Sequence, residues 1–193
     1  MRILTIHADY IEVEPKKQAI KDADELRVQG PERYEELLVV FTAVEDGDEE
    51  GTMASRLAEE SIKVAELVKT KRILLYPLVH LTSKPSKASV ARAVLANAEI
   101  ILKEKGYEAS HSPFGWYKGY TLKCKGHPLS ELSRELHGAG AATVSPKPGE
   151  VEVVSKSLQQ ENMLKSRFFI LDLEGNLHTV DKFDFRAMKG HMG

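Results

Sequence analysis

The stretch Leu37 to Val44, LLVVFTAV, is a nearly continuous apolar run rich in valine. A run of that length fits a strand buried on both faces, so the fold must supply covering layers on two sides of a sheet. Shorter elements surround it. Arg2 to His7 (RILTIH) reads as a strand that Asp9-Tyr10 ends, and the charged segment around Pro15 and Pro31 reads as a connection. Asp46 to Gly51 (DGDEEG) crowds carboxylates that prefer water, which predicts an exposed turn.

From Thr52 to Thr70, the residues Met53, Leu57, Val64, Ala65 and Val68 fall on one side of a helix. Arg72 to Tyr76 (RILLY) is a short strand stopped by Pro77, which has no donor for a ladder. A second helix is predicted over Ser86 to Lys105, with Ser86 as N-cap, Gly106 as the stop, and Val90, Ala91, Val94, Leu95, Ala98, Ile101 and Leu102 as its apolar face. The order strand, helix, strand, helix makes the chain α/β. Tyr107 to Lys125 then reads as a hairpin turning through Ser112-Pro113-Phe114-Gly115, and Pro128 to His137 as a short helix.

The texture changes after Gly138, where Gly-Ala repeats and Pro146, Pro148 and Gly149 suggest a linker. The expected organisation is a domain over residues 1–140, a linker over 141–165, a small β-hairpin over 166–185 around Glu174-Gly175-Asn176, and a tail over 186–193. A lone hairpin of this kind is marginal and needs something to pack on.

Composition narrows the class. With 193 residues, 42% hydrophobic, 29% charged and a net charge of −2, the chain has the makings of one ordinary core. It contains no apolar run of membrane-spanning length and no h-region before a cleavage site, so neither a membrane partner nor secretion is expected. A single cysteine, Cys124, makes neither an internal disulfide nor a thiolate zinc cage, which suits a reducing cytosol. Charge is unevenly spread: residues 1–60 hold 7 Lys and Arg against 16 Asp and Glu, whereas residues 61–140 hold 13 against 6. The basic middle either meets a polyanion such as RNA or is cancelled by the acidic first third.

Three places gather useful chemistry near predicted element ends. His80 follows a buried strand in Tyr76-Pro77-Leu78-Val79-His80, where it either reaches a cleft or serves as a structural histidine. Phe114-Gly115-Trp116-Tyr117-Lys118-Gly119-Tyr120 combines glycines that permit close approach, aromatic faces, and a cation for an ester oxygen or phosphate. The alternative for its aromatics is simple cover for the sheet. Glu131 follows Gly126-His127-Pro128 on the expected short helix, as a site carboxylate or a cap. Cys124 and His127 have a metal-like spacing without a second pair, so no metal and no cofactor are expected. No nucleophile elbow, Walker loop or dinucleotide fingerprint occurs.

Taken together, RILTIHADYIE, YPLVHLTS, SVARAVL, SPFGWYKGY and CKGHPLSELSR resemble the N-terminal editing domain of archaeal-type threonyl-tRNA synthetase over about residues 1–137, and SRFFILDLEGNLHTVDKFDF resembles the segment joining it to the rest of that enzyme. The aminoacylation core is absent from the chain. The resemblance implies a D-aminoacyl-tRNA deacylase-like mixed sheet with packed helices, a linker and a C-terminal hairpin. It implies hydrolysis of seryl-tRNA formed in error on the threonine tRNA, with the 2′-hydroxyl of the terminal adenosine assisting water. By position in these motifs, Lys118 orients ester and water and stabilises negative charge, His80 and Glu131 hold water and lysine in place, and Tyr117 shapes the pocket or meets the adenosine. Val44, Pro77, Val79, Ala91, Phe114 and Gly115 match substrate-binding positions. The implied partners are the acceptor end of tRNA(Thr), a second copy in a homodimer, and a separate synthetase chain. The rival readings are a D-aminoacyl-tRNA deacylase and a non-catalytic tRNA-binding or dimerisation module.

Overall fold

A computed structural model describes residues 1–138, 169–171 and 177–179. The chain divides into two compact units, Met1–Thr143 and Val144–Gly193. The first is a six-stranded mixed sheet with two helices: β1 (Arg2–Gln18), β2 (Glu32–Ala43), α1 (Glu50–Leu67), β3 (Arg72–Pro77), α2 (Ala88–Glu104), β4 (Glu108–His111), β5 (Trp116–Cys124) and β6 (Glu131–Glu135). In the second, β7 (Phe169–Leu171) and β8 (Leu177–Thr179) form the expected antiparallel hairpin. The linker at 141–165 and the tail at 186–193 lie outside the described residues.

The long apolar run behaves as its composition demands. Leu38 and Val40 of β2 point to one core, where they meet Leu57 of α1, Ile73 and Leu75 of β3, and Leu95 and Leu102 of α2. Leu37, Val39 and Phe41 point to a second core with Ile11, Val13, Leu74 and Tyr76. Each such side chain removed from water contributes ~1.5–3 kcal/mol, and β2 is stabilised from both faces. Because α1 and α2 follow β2 and β3, those strands return parallel, with Leu38 opposite Ile73 and Arg72 opposite Glu108.

Four expectations change. β1 does not end at Asp9-Tyr10: it runs on to Gln18 because Ile11 and Val13 continue an inward-facing pattern, and register shifts between Ala8 and Tyr10 and between Pro15 and Lys17 bend it along β5. The length lets one edge of β1 hold two neighbours in succession, β6 opposite Arg2–Ile6 and β5 opposite Ala8–Gln18. Residues 107–125 are not a hairpin. The chain turns at Ser112–Gly115, but β4 pairs parallel with β3 at one edge of the sheet while β5 joins β1 at the other. Finally, the predicted helix at 128–137 is the strand β6, where Leu132, Arg134 and Leu136 alternate with exposed Glu131, Ser133 and Glu135. Ser86 is not the N-cap of α2, since the cap position is Lys87 and makes no side-chain cap bond.

Acidic and basic segments do meet. Arg134 of β6 pairs with the buried Glu60 of α1, Lys125 reaches Asp9 at 2.7 Å and Glu36 at 2.9 Å, and Lys123 lies 3.1 Å from Asp9. On α2, Glu99 is bonded to His111 of β4 and to Lys103. Burial opposes ionisation of Glu99, but those bonds outweigh it and hold the carboxyl at about 2. A carboxyl that ionises more readily folded than unfolded stabilises the fold above its ordinary value near 4.5 and loses that contribution as pH falls toward 2. The urea midpoint should therefore drop between pH 5 and pH 3, and Glu99→Gln should flatten that dependence.

Candidate functional site

A cavity of about 570 Å³ opens where the carboxyl ends of β2 and β3 meet the start of α2 and the entry to β5. Its placement follows from the backbone. Pro77 ends β3, Leu78 N donates to Thr42 O at 2.9 Å, and a single turn at Val79–Leu81 carries the chain outward. Ser86 N donates to Val44 O at 2.9 Å, which brings the first turn of α2 against the end of β2. The crevice thus lies beyond the ends of parallel strands, a common location for ligand sites in α/β sheets.

Most of the expected site residues converge on it. Val44, Pro77, Val79 and His80 come from the strand ends, Ala91 from α2, and Phe114, Gly115, Tyr117 and Lys118 from the turn and β5. His80 and Tyr117 are exposed at this lining, Tyr117 to 65%. Glu131 is not brought to it: the side chain is exposed on β6, opposite Ile6, and β6 contributes nothing to the lining. Its expected place at the site came from its position in the family motif, and the short helix on which it was read is in fact a strand.

Lys118 is the central charge. Its Nζ donates to Pro113 O at 2.7 Å and sits 4.6 Å from the centroid of the Tyr76 ring. Burial pushes the ammonium down to about 8, against the pull of the Asp24 carboxylate, which favours the charged form. Tyr76 and Tyr120 meet edge to face at 5.5 Å beneath it, and burial raises the Tyr76 phenol, so that ring stays neutral. No Asp, Glu or Cys lines the cavity among the described residues. The site therefore offers a partly desolvated cation, one imidazole, neutral hydroxyls and small apolar surfaces, but no carboxylate base and no anionic ligand set for a metal.

The sequence reading missed Ala19, Ile20 and Thr42, which also line the cavity. Thr42 is the one hydroxyl within the apolar run, and that was its available signal. Ala19 and Ile20 sit in a charged stretch without periodicity and carried none.

Comparison with known proteins places this mixed sheet among the aminoacyl-tRNA editing domains. The model of the archaea-specific editing domain of threonyl-tRNA synthetase matches residues 1–136, and the chain belongs to that family. The threonine–tRNA ligase of Methanosarcina acetivorans is 47% identical over 192 residues, covering 95% of this chain and 30% of that enzyme. The ligase of Pyrococcus horikoshii is 43% identical over 189 residues, covering 96% of this chain and 29% of that enzyme. The chain thus spans less than a third of the length of these relatives. Among solved structures, the c-Myc DNA unwinding element binding protein shares the fold at a TM-score of 0.52 and 10% identity, over 72% of this chain and all of that one. A probable eukaryotic D-amino acid tRNA deacylase also matches, at a TM-score of 0.35 and 10% identity over 68% of this chain and 98% of that one. Among the described residues, no helix is long and apolar enough to cross a membrane.

Proposed function

We propose that the cavity hydrolyses L-seryl-tRNA(Thr), releasing serine and free tRNA, as the proofreading step of threonine charging in the cytosol. The observation that carries this is Lys118, a half-buried ammonium in a crevice with no carboxylate. Such a cation stabilises the negative charge that develops on an ester carbonyl oxygen when water adds to its carbon. As the tetrahedral species collapses, the bond from that carbon to the ribose 3′-oxygen breaks. The lining supplies no carboxylate to take the water proton, which suits a mechanism in which the neighbouring ribose 2′-hydroxyl of the terminal adenosine assists, with His80 at the rim holding the water. Tyr117, exposed at the same lining, would shape the pocket or meet the adenosine. The reading gives Glu131 no role within its own chain.

Substrate choice is steric. Serine lacks one methyl of threonine, a difference worth only ~1–3 kcal/mol in a site that must accept the larger amino acid. A site that accepts the smaller one reverses the order, because an added methyl then overlaps the wall. Ala91, Val44 and Pro77 are compact groups suited to such a wall.

Purified protein offered L-seryl-, L-threonyl- and D-aminoacyl-tRNA should cleave the L-seryl ester in preference to the other two. Predominant cleavage of the D-form would make it a D-aminoacyl-tRNA deacylase, and binding without cleavage would make it a tRNA-binding module. After subtraction of spontaneous hydrolysis, the catalysed rate should fall as pH rises through about 8, where Lys118 loses its proton. A homodimer and a separate synthetase chain are partners that the reading accommodates.

A further inference from the structure

Residues 19–31 join β1 to β2, and their first part grips the turn that leads into β5. Ala19 N and Ile20 N donate to Gly115 O at 2.8 and 3.4 Å, and Asp24 N donates to Phe114 O at 3.0 Å. The Asp24 carboxylate accepts Phe114 N–H at 2.7 Å, and its main-chain carbonyl accepts Trp116 Nε1–H at 2.8 Å. Asp24 is itself fastened from two other elements. His111 Nε2, at the end of β4, lies 3.3 Å from Oδ2, and Arg92 Nε, on α2, lies 3.6 Å from Oδ1. The other ring nitrogen of His111 is bonded to Glu99. One carboxylate thus ties three separated pieces of chain to a single turn, and that turn holds the Lys118 ammonium through Pro113 O.

We propose that Asp24 is a positioning residue for the Lys118 site: by gripping Phe114 and Trp116 it fixes the Pro113 carbonyl, and with it the ammonium, at the cavity wall. This rests on the reading of the cavity as an ester-hydrolysing site. Asp24 does not line the cavity, so it acts through the turn and not on the substrate. Its side chain is buried enough to be held by all three partners at once, with 23% exposure. A second influence runs in the same direction, since the negative charge of Asp24 helps keep Lys118 protonated against its burial. Tyr76, the other titratable group against the ammonium, remains neutral and adds no charge.

A double-mutant cycle tests this on single-turnover deacylation of seryl-tRNA, with thermal unfolding recorded for each variant. Asp24→Ala should lower the rate constant by about 10- to 100-fold, the scale on which a small misplacement of a catalytic group is felt, with little change in the tRNA concentration for half saturation. The same substitution on a Lys118→Met background should cost nothing further, because the residue it positions is gone. Asp24→Asn keeps an oxygen for Phe114 N–H and should recover most of the rate at pH 7. In that variant the Lys118 resonance of ¹³Cε-lysine-labelled protein, assigned by its loss in Lys118→Met, should titrate at lower pH than in wild type. Equal losses on both backgrounds, or an unmoved lysine titration in Asp24→Asn, would overturn the proposal. If the wild-type protein cleaves no aminoacyl-tRNA, the hydrolase reading fails, and the lysine titration alone still decides whether Asp24 governs Lys118. If Asp24→Ala does not fold, the lysine titration in Asp24→Asn decides the question alone.

Discussion

Replacing Lys118 with methionine should leave a folded protein that binds tRNA with wild-type affinity and deacylates seryl-tRNA about 100- to 1,000-fold more slowly. That range is what loss of one well-aimed charge stabiliser costs in other active sites. Methionine keeps most of the apolar stem of the lysine while giving up the Nζ contact with the Tyr76 ring at the cavity wall. Burial penalises the ammonium enough to bring it down to about 8, and removing a charge held at such a cost should leave stability unchanged or raise it. The three measurements are single-turnover deacylation, filter binding of tRNA, and a urea unfolding curve. A rate within twofold of wild type would remove Lys118 from the chemistry. A parallel loss of tRNA affinity would place it in binding instead.

The largest expected effect on the fold belongs to Gly115. Its φ is +78°, in the left-handed region, and a Cβ built there would lie 2.7 Å from Ile20 Cγ1 and 2.9 Å from Ala23 Cα. The Ile20 contact is with a side chain that can turn aside, but the Ala23 contact is with backbone and requires the whole 19–24 segment to retreat. Gly115→Ala combines the left-handed cost of ~1–2 kcal/mol with overpacking of ~1–3 kcal/mol. A loss of about 2–5 kcal/mol in unfolding free energy is expected, together with reduced deacylation, because the bonds from Ala19, Ile20 and Asp24 to this turn are those the retreat would break. Gly126 is the control. It has a similar φ of +68° but nothing within 4 Å of a built Cβ, so Gly126→Ala should show only the backbone part of the penalty. Equal losses at the two glycines would mean that the close approach at Gly115 is absent in solution.

How much of this was legible in the sequence depended on whether the signal was local. Leu37–Val44 announced a two-sided strand because burial on both faces leaves no polar positions to alternate. The apolar faces of α1 and α2 were likewise plain from their spacing, and the apolar arms of the C-terminal hairpin pair as Phe169–Leu171 with Leu177–Thr179. The turn at Ser112–Gly115 was also real, yet turn chemistry says only that the chain reverses and nothing about which strand it will join. The extended edge of β1 decided that, and no residue near 115 encodes it. Leu129, Leu132 and Leu136 fit a helical spacing, whereas five residues of alternation also fit a strand, and the free first half of β1 favoured the strand. The cavity residues were named mainly by family resemblance, and the fold brings all but Glu131 to one place. Asp24 lay beyond reach, since one aspartate in a charged connection acquires meaning only when the turn 90 residues later is folded against it.

The indole bond between Trp116 and the Asp24 carbonyl has a practical consequence. Trp116 is the only tryptophan in the chain, and it also lines the cavity. Excited at wavelengths that tyrosine does not absorb, the protein therefore emits from a single fluorophore at the boundary between the gripping segment and the crevice. Its wavelength and quenching would register occupancy of the crevice and release of the segment without any label, and red-shifted emission would be the first optical sign that water had entered between them.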